Sequence, residues 1–484
     1  VLYMNIGVCY TWLSDYSKAK LYFEKAESLY DQYHLSEDIN YINLLNSLGA
    51  TCYFLGMDAK SEEYFNRGFS KIKSSNSSLA LNLINSFAII LGDAGKTDKG
   101  SKLLLSSLNK AKSFYGEGSK SYFEVLKNYA DYLRNYRIDL KKSLQLYEEC
   151  SVYASNNPDD VQLSNSIMLG YALALDDDGF SDKALKVIQG LLFGSAAGIK
   201  TVPETENPDF TSAEPLQWSI KLLRAKYGVL WNIYKKTHDR KYLFSAAATA
   251  EAVIGLIDRV RINISEDESR LILGDRFRGL YLFAMRDFDL CYKLTHDKSY
   301  LEKAFVYSEK SKVAGLLAST RELKATQFHI PPDIAELERK LKAEISFYEA
   351  RIENENSLTN PDMAMVTEWK NLVLNSIKSR DSLVKILEDQ YPDYYQIKYN
   401  SNVVSSNEIP DVVGGKTTYL SYVVSDTVLY IFLKNKKYMQ LVTVPIDTAF
   451  FNNVTEFREL ISYPGCNAKS DFNRFMKSGR ILFN

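Results

Sequence analysis

The sequence predicts a mainly α-helical protein: a right-handed α-solenoid of helical hairpins, then a long helical hairpin, then the beginning of an α/β domain. Three observations predict this fold class. A short pattern of small and large residues returns about every forty residues in the first half of the chain, which is typical of stacked repeats. Apolar residues then follow a coiled-coil spacing, and the last part of the chain changes to the composition of β-strands.

Each repeat begins with a small residue, has an apolar residue three positions later, and has small, large and small residues near positions +12, +16 and +19. Five copies fit: Gly7, Tyr10, Ala19, Phe23 and Ala26; Gly49, Cys52, Ser61, Phe65 and Gly68; Ala88, Leu91, Gly100, Leu104 and Ser107; Ala130, Leu133, Ser143, Tyr147 and Cys150; Ala172, Leu175, Ala184, Ile188 and Leu191. Small residues let two helices approach closely, while the large ones fill the groove formed with the next hairpin. The pattern resembles the tetratricopeptide repeat, which implies about five helical hairpins over residues 1–193.

Turn residues support the same division. Gly56, Gly95 and Gly179 fall between the two helices of a repeat, where a residue that tolerates positive φ is needed. Residues 194–215 are rich in Gly, Pro, Ser, Thr and Glu and are predicted to form a surface loop.

Two longer repeat-like hairpins are predicted over residues 216–326. Their turns are near copies, since Tyr234–Leu243 matches Tyr292–Leu301. In each copy a helix ends at Lys-Thr-His, and Asp239 or Asp297 is expected to cap the next helix. The matching positions of His238 and His296 therefore favour two equivalent turns and not a pair of metal ligands.

A coiled-coil-like helical hairpin is predicted over residues 333–391, after the break at Pro331-Pro332. Its apolar positions are spaced by three and four residues: Ile334, Leu337, Leu341, Ile345, Tyr348 and Ile352, then Val366, Trp369, Val373 and Ile377.

Residues 392–484 are predicted to form the N-terminal part of an α/β domain. Thr417–Val424, Thr427–Leu433 and Tyr438–Val444 are expected to be three strands of a meander, followed by short helices near Phe451–Ile461 and Lys469–Leu482. Every position of Val428–Leu433 is apolar, which favours a strand covered on both faces.

The composition argues against several classes of function and of site. Lys plus Arg is 59 and Asp plus Glu is 60, so bulk charge does not favour direct binding to nucleic acid or to an anionic membrane. Five isolated cysteines favour reduced, buried thiols over a disulfide framework or a zinc site, and no cofactor or metal is predicted. The strongest candidate membrane span, Ala246–Ile257, is short and contains Glu251. No signal peptide is visible, but Val1 lies inside the first repeat without an initiator methionine, so the true N-terminus is expected to be missing and the absence of a signal peptide says little about export. The expected compartment is the cytoplasm.

Two segments carry a further resemblance. They are Ser308-Glu-Lys-Ser-Lys312, within the last helix of the long hairpins, and Tyr391-Pro-Asp-Tyr-Tyr395. With the order of repeats, hairpins and strands, they make the chain resemble bacterial CHAT proteins, in which a caspase-like peptidase domain follows tetratricopeptide repeats. The resemblance implies a catalytic His in a His-Gly-type motif and a catalytic Cys, each after a later strand.

Neither catalytic motif occurs in this sequence. All four histidines (His34, His238, His296 and His329) precede the first predicted strand, and Cys466 has no histidine in its segment. A thiolate nucleophile needs a base within hydrogen-bond reach. We therefore assign no catalytic residue, and expect the Cys and His of a clan CD-like cysteine peptidase only in a longer parent protein.

Two motifs favour simpler interpretations. Val413–Thr418 looks like a phosphate loop, but Pro410 stands where its first Gly would be and a strand follows where a helix must begin. Asp176–Gly179 looks like part of a calcium loop, but the later ligands are missing, so a solvated turn is predicted.

Asparagines supply the candidate binding residues. Asn5, Asn46, Asn85 and Asn128 each lie two or three residues before the small residue that opens a repeat. In tetratricopeptide folds this stretch lines the concave groove, where an amide can donate to and accept from an extended peptide backbone. The alternative is local capping or a bond between neighbouring helices.

These observations predict a scaffold that binds a protein or peptide ligand in the solenoid groove and regulates an attached caspase-like domain. One alternative is a protein-interaction adaptor without peptidase activity. Another is a peptide-sensing regulator like those of Gram-positive quorum systems, against which the strands at 417–444 count. The oligomeric state stays open.

Overall fold

The described part of the chain is mainly helical. A computed structural model describes residues 2–12, 16–35, 38–72, 78–193, 202–209, 216–263, 267–320, 331–356, 362–392, 406, 408–409, 417–462 and 469–483. The chain divides into two compact units, of which the first comprises Val1–Leu280 and Ala314–Ser401 and the second Tyr281–Val313 and Asn402–Asn484.

The first unit begins with five consecutive helical hairpins, as predicted. Their first helices, called A helices here, are α1 (Leu2–Trp12), α3 (Ile39–Phe54), α5 (Ser78–Asp93), α7 (Lys120–Asn135) and α9 (Val161–Asp177). Their second helices, the B helices, are α2 (Tyr16–Gln32), α4 (Asp58–Ile72), α6 (Thr97–Tyr115), α8 (Leu140–Asn156) and α10 (Ser181–Phe193). Each A helix packs against its own B helix and against the next A helix.

The predicted repeat positions form the core of these hairpins. Phe23, Phe65 and Leu104 are at most 1% exposed. A Cβ atom added to Gly49 would overlap the ring of Phe65, which shows why the opening position must be small. The predicted small residues also supply hydrogen bonds, because Ser61 Oγ donates to the carbonyl of Gly49 at 2.8 Å.

Left-handed residues make the turns between the paired helices. Gly56, Gly95 and Gly179 have φ of 70°, 75° and 95°, which confirms their predicted role. The fourth hairpin, whose turn is one residue longer, uses Arg137 with φ 52° at the corresponding place.

Two long hairpins follow, formed by α11 (Leu216–Thr237) with α12 (Arg240–Asn263) and by α13 (Asp267–Thr295) with α14 (Lys298–Thr320). His238 and His296 adopt φ of 53° and 57°, so each ends its helix in the left-handed region. Asp239 Oδ1 accepts the N–H of Lys241 at 3.0 Å, and Asp297 Oδ1 accepts that of Ser299 at 2.9 Å. The predicted capped turns are confirmed.

The coiled-coil-like hairpin consists of α15 (Pro332–Asn356) and α16 (Met363–Gln390). Leu341, Leu383 and Leu387 form its core. Leu337, predicted to lie on the apolar seam, is instead 45% exposed, and the next residue, Glu338, is buried. The buried seam of α15 therefore includes Glu338 in place of Leu337. Helix α15 also contacts α1, which periodicity does not predict.

The second unit contains the predicted meander. Strands β1 (Tyr419–Val424), β2 (Val428–Lys434) and β3 (Met439–Pro445) pair antiparallel in the order β1-β2-β3, and α17 (Thr448–Ser462) and α18 (Lys469–Phe483) follow.

Only one face of the sheet is well covered by the described residues. Tyr430 and Phe432 of β2 are buried, while Leu429, Ile431 and Leu433 are half-buried. The neighbours that flank Ile431 in the register, Tyr422 and Val442, are exposed. The prediction that β2 is covered on both faces was therefore wrong for the described part of the chain.

The hairpin of α13 and α14 covers the buried face within this unit. The ring of Phe305 meets the ring of Phe432 edge to face, with centroids 5.5 Å apart. Ser421 Oγ of β1 donates to Glu309 Oε1 at 2.5 Å, and Lys312 Nζ contacts both groups. The Ser-Glu-Lys-Ser-Lys segment thus anchors β1 to α14.

Candidate peptide-binding surfaces

The A helices form one continuous layer, because each contacts the next. Two positions of each A helix stay accessible on this layer. Three residues before the opening position lie Met4, Asn46, Asn85, Lys127 and Leu169, all half-buried. One residue after it lie Val8, Ala50, Ile89, Asp131 and Leu173, half-buried or exposed. These positions are four residues apart and therefore share one helix face.

The four candidate asparagines occupy two positions of the A helices. Asn46 and Asn85 stand three residues before the opening residue, whereas Asn5 and Asn128 stand two before it. Adjacent residues of an α-helix point about 100° apart, so the amides form two pairs of equivalent positions. Asn5 is exposed and the other three are half-buried. Asn46 Oδ1 is buried and has no hydrogen-bond partner among the described residues.

Polar contacts join the C-terminal ends of neighbouring A helices. The phenol oxygen of Tyr136, the residue after α7, lies 2.8 Å from Asp93 Oδ1 of α5 and 2.7 Å from the carbonyl oxygen of Ile89, so both acceptors share its one proton. Tyr53 of α3 reaches the same carboxylate. Burial, and then the bond to Asp93, raise the pKa of Tyr136, so its phenol remains a donor. These contacts hold three successive repeats in register.

A polar hollow lies at the turn of the fifth hairpin. Its volume is about 400 Å³, and it is lined by Asp176–Gly179, Asn232, Lys235 and Lys236. Asn232 donates to Asp176 Oδ2 at 2.8 Å, and Lys236 Nζ donates to the carbonyl of Gly179 at 3.0 Å. The predicted turn is therefore also a contact with α11. Among the described residues, no group of three or more His, Cys, Asp or Glu side chains could hold a metal ion.

A second surface binds a segment of the same chain through hydrogen bonds. Residues 202–209, inside the predicted loop, run across α10, α11 and α12 without helix or strand, and the N–H of Glu206 donates to the carbonyl of Pro203 at 2.9 Å to close a β-turn. Gln189 Nε2 donates to the carbonyls of Pro203 at 2.8 Å and Glu206 at 3.1 Å. Ser245 Oγ donates to the carbonyl of Thr205 at 2.6 Å.

Two further side chains complete this surface. Lys226 Nζ donates to the carbonyl of Glu206, and Thr249 Oγ1 donates to Asn207 Oδ1 at 3.1 Å. The side chains of Lys226 and Thr249 are fully buried. Burial lowers the pKa of Lys226 to about 8, against the opposing effect of the Glu206 carboxylate. We call Gln189, Lys226, Ser245 and Thr249 the clasp.

The cysteines are placed as inert thiols. Cys52, Cys150 and Cys291 are buried and free, as the sequence predicts, and Cys9 is half-buried. Burial raises the pKa of Cys150 and of Cys291 to about 12, so both remain protonated at neutral pH. Cys466, His329 and the segment 413–416 lie outside the described residues.

A family model for the tetratricopeptide repeat matches residues 1–70, which span the first two hairpins. No curated protein matches the chain. A solved structure titled "Crystal structure of BtubC (BKLC) from P. vanneervenii" is 13% identical, with 51% of this chain and 90% of that chain covered. Its TM-score of 0.35 is too low for a shared fold to be stated.

The matched repeats make this part of the chain a protein-interaction scaffold. No helix in the described ranges is both long enough and apolar enough to cross a bilayer.

Proposed function

We propose that this protein is a repeat scaffold that binds an extended segment of a partner protein along its A-helix layer and thereby regulates a caspase-like peptidase domain of the CHAT type. The proposal builds on the tetratricopeptide match over residues 1–70 and on the further hairpins that carry the same packing positions.

The repeated asparagines of the A-helix layer, of which Asn85 and Asn128 are half-buried, are the observation that supports the binding part. An extended peptide leaves unpaired N–H and C=O groups, and an Asn side chain complements both. Asn46 and Asn85 stand at equivalent positions of consecutive repeats, and both side chains are half-buried. One bound segment could therefore meet both amides in succession.

The regulatory part rests on the resemblance to CHAT proteins and on the anchored strand. Glu309 and Lys312 hold Ser421 of β1. A shift of α14 would therefore act on the first strand of the sheet directly.

The binding part is tested by replacing amides singly. A peptide selected from a displayed random library is used as the probe, and its affinity for the Asn85→Ala and Asn128→Ala variants is measured by calorimetry. Each lost pairing should weaken binding by about 0.5–1.5 kcal/mol and leave the melting temperature nearly unchanged. Asn109→Ala, on the exposed side of α6, is the matched control and should change neither quantity.

The opposite result would refute this role. If Asn85→Ala and Asn128→Ala lower the melting temperature and leave the affinity unchanged, the amides hold neighbouring helices together and the groove proposal is wrong.

The regulatory part is separated from a pure adaptor by hydrogen exchange. Probe binding should change amide exchange in β1, and Glu309→Gln should abolish that change while the probe still binds. An adaptor predicts unchanged exchange in β1. The chain alone should not turn over peptide substrates, since no Cys–His pair is expected in it; turnover that is lost in Cys466→Ala would contradict this.

A further inference from the structure

We propose that the clasp formed by α10, α11 and α12 is a second peptide-binding site, which residues 202–209 occupy as an internal competitor of an acidic, β-turn-forming peptide from a partner. The site is separate from the A-helix layer, so the proposal holds whether or not that layer binds a ligand.

The clasp recognises main-chain atoms. The carbonyls of Pro203, Thr205 and Glu206 all accept hydrogen bonds from helix side chains. These carbonyls belong to the β-turn of residues 203–206, and another peptide that folds into the same turn presents the same groups, so the bonds can be transferred from the internal segment to another chain. The bond from Thr249 to Asn207 Oδ1 is the side-chain contact among them.

The clasp side chains are buried while residues 202–209 lie on them. Lys226 and Thr249 are fully buried, and Gln189 and Ser245 are each 6% exposed. An ammonium or amide group left without a partner at such depth costs several kcal/mol. A core that needed only to pack would use apolar side chains at these positions. The clasp is therefore built to hold polar main chain.

The internal segment does not satisfy the clasp completely. Gln189 Oε1 is buried and accepts no hydrogen bond from the part of the chain that the structure describes, although its Nε2 donates to two carbonyls. A ligand that places one N–H against this oxygen would gain a bond that residues 202–209 lack. An incomplete occupant of this kind is suited to displacement.

The internal segment also indicates the chemistry of the ligand. Its sequence, Val-Pro-Glu-Thr-Glu-Asn-Pro-Asp, contains three acidic residues, and Glu206 lies beside the buried ammonium of Lys226. Pro203 is the first residue of the β-turn closed by the N–H of Glu206, and Pro203 and Pro208 both restrict the backbone. The expected ligand is an acidic, proline-containing peptide that forms a β-turn.

The test uses the complete chain with residues 202–209 replaced by a Gly-Ser linker of equal length. A fluorescent synthetic peptide with the sequence of residues 202–209 is the probe, and binding is followed by anisotropy. The peptide should bind the linker variant. Its affinity for the unaltered chain should be weaker by about tenfold or more, because the tethered segment competes at a millimolar effective concentration.

Single substitutions then locate the bound peptide. In the linker variant, Ser245→Ala should weaken binding about two- to tenfold, as expected for one lost hydrogen bond. Ser106→Ala, on the exposed side of α6, is the matched control and should have no effect. A probe with lysine at both glutamate positions should bind more weakly than the acidic probe.

A folded linker variant that does not bind the probe at millimolar concentration would overturn the proposal and leave the segment a structural strap. Equal binding to the linker variant and to the unaltered chain would also overturn it. If the linker variant does not fold, the double substitution Pro203→Gly and Pro208→Gly keeps every carbonyl and loosens the internal competitor. The probe should then bind this variant more tightly than the unaltered chain, and unchanged affinity would refute the idea.

Discussion

Replacing Gly49 by alanine should destabilise the protein only while Phe65 is present. Phe65 is fully buried, and its ring lies 5.9 Å from that of Phe87 in the next hairpin. A Cβ atom at position 49 would occupy the space of the Phe65 ring. The two substitutions should therefore be strongly coupled.

The magnitudes follow from the packing. Phe65→Ala removes a buried ring and should cost about 3–5 kcal/mol. Gly49→Ala overpacks the contact by about 1–3 kcal/mol, offset by the gain of about 1 kcal/mol that alanine has over glycine in a helix. Without the Phe65 ring only the gain should remain, so Gly49→Ala should then stabilise the protein.

The assay is urea unfolding followed by circular dichroism for the four proteins of the cycle. Gly190→Ala is the matched control, since a Cβ atom there meets nothing within 4 Å. It should stabilise the chain by about 1 kcal/mol in both backgrounds.

Equal effects of Gly49→Ala with and without Phe65 would refute the reasoning. Phe65 would then not fill the space against the opening glycine, and the register assigned to the repeats would be wrong.

Further outcomes are expected at other sites. Ser61→Ala and Ser143→Ala each remove a hydrogen bond to an A-helix carbonyl, and should lower the free energy of unfolding by about 1 kcal/mol, measured by urea titration against the exposed Ser106→Ala. Cys150, with its pKa raised to about 12, should resist an aromatic disulfide reagent at pH 8 until the chain is unfolded, as mass spectrometry of the labelled site would show; labelling of the folded protein would contradict this. Lys226 has its pKa lowered to about 8, so the unfolded state binds more protons above that pH and stability should rise between pH 8 and 10, by up to about 1.4 kcal/mol per pH unit. Lys226→Met should lose this rise, and an identical pH dependence in both proteins would argue against the burial of an ionisable amine.

The repeats and capped turns could be predicted because their causes are local. Close helix packing demands a small residue at Gly49 and a large one at Phe65, and both recur at a fixed spacing. The left-handed turn at Gly179 and the cap at Asp239 depend on residues within one turn of chain. The three strands were equally visible, since their composition and boundaries are local too.

The sequence did not predict which residues are buried by contact with other helices or strands. The apolar run Val428–Leu433 predicted cover on both faces of β2, but cover depends on which element packs there, and the described residues provide it mainly from α13 and α14. The exposure of Leu337 and the contact of α15 with α1 also depend on which elements pack together, so periodicity did not predict them.

The two candidate sites also differ in how far the sequence predicts them. Periodicity alone located Asn46 and Asn85 at equivalent helical positions. The clasp had no visible signal beyond a lysine at position 226 in an apolar stretch, because its bonds run from four scattered side chains mostly to main-chain carbonyls. Every residue carries the same carbonyl, so only the tertiary structure decides which carbonyls meet a buried donor.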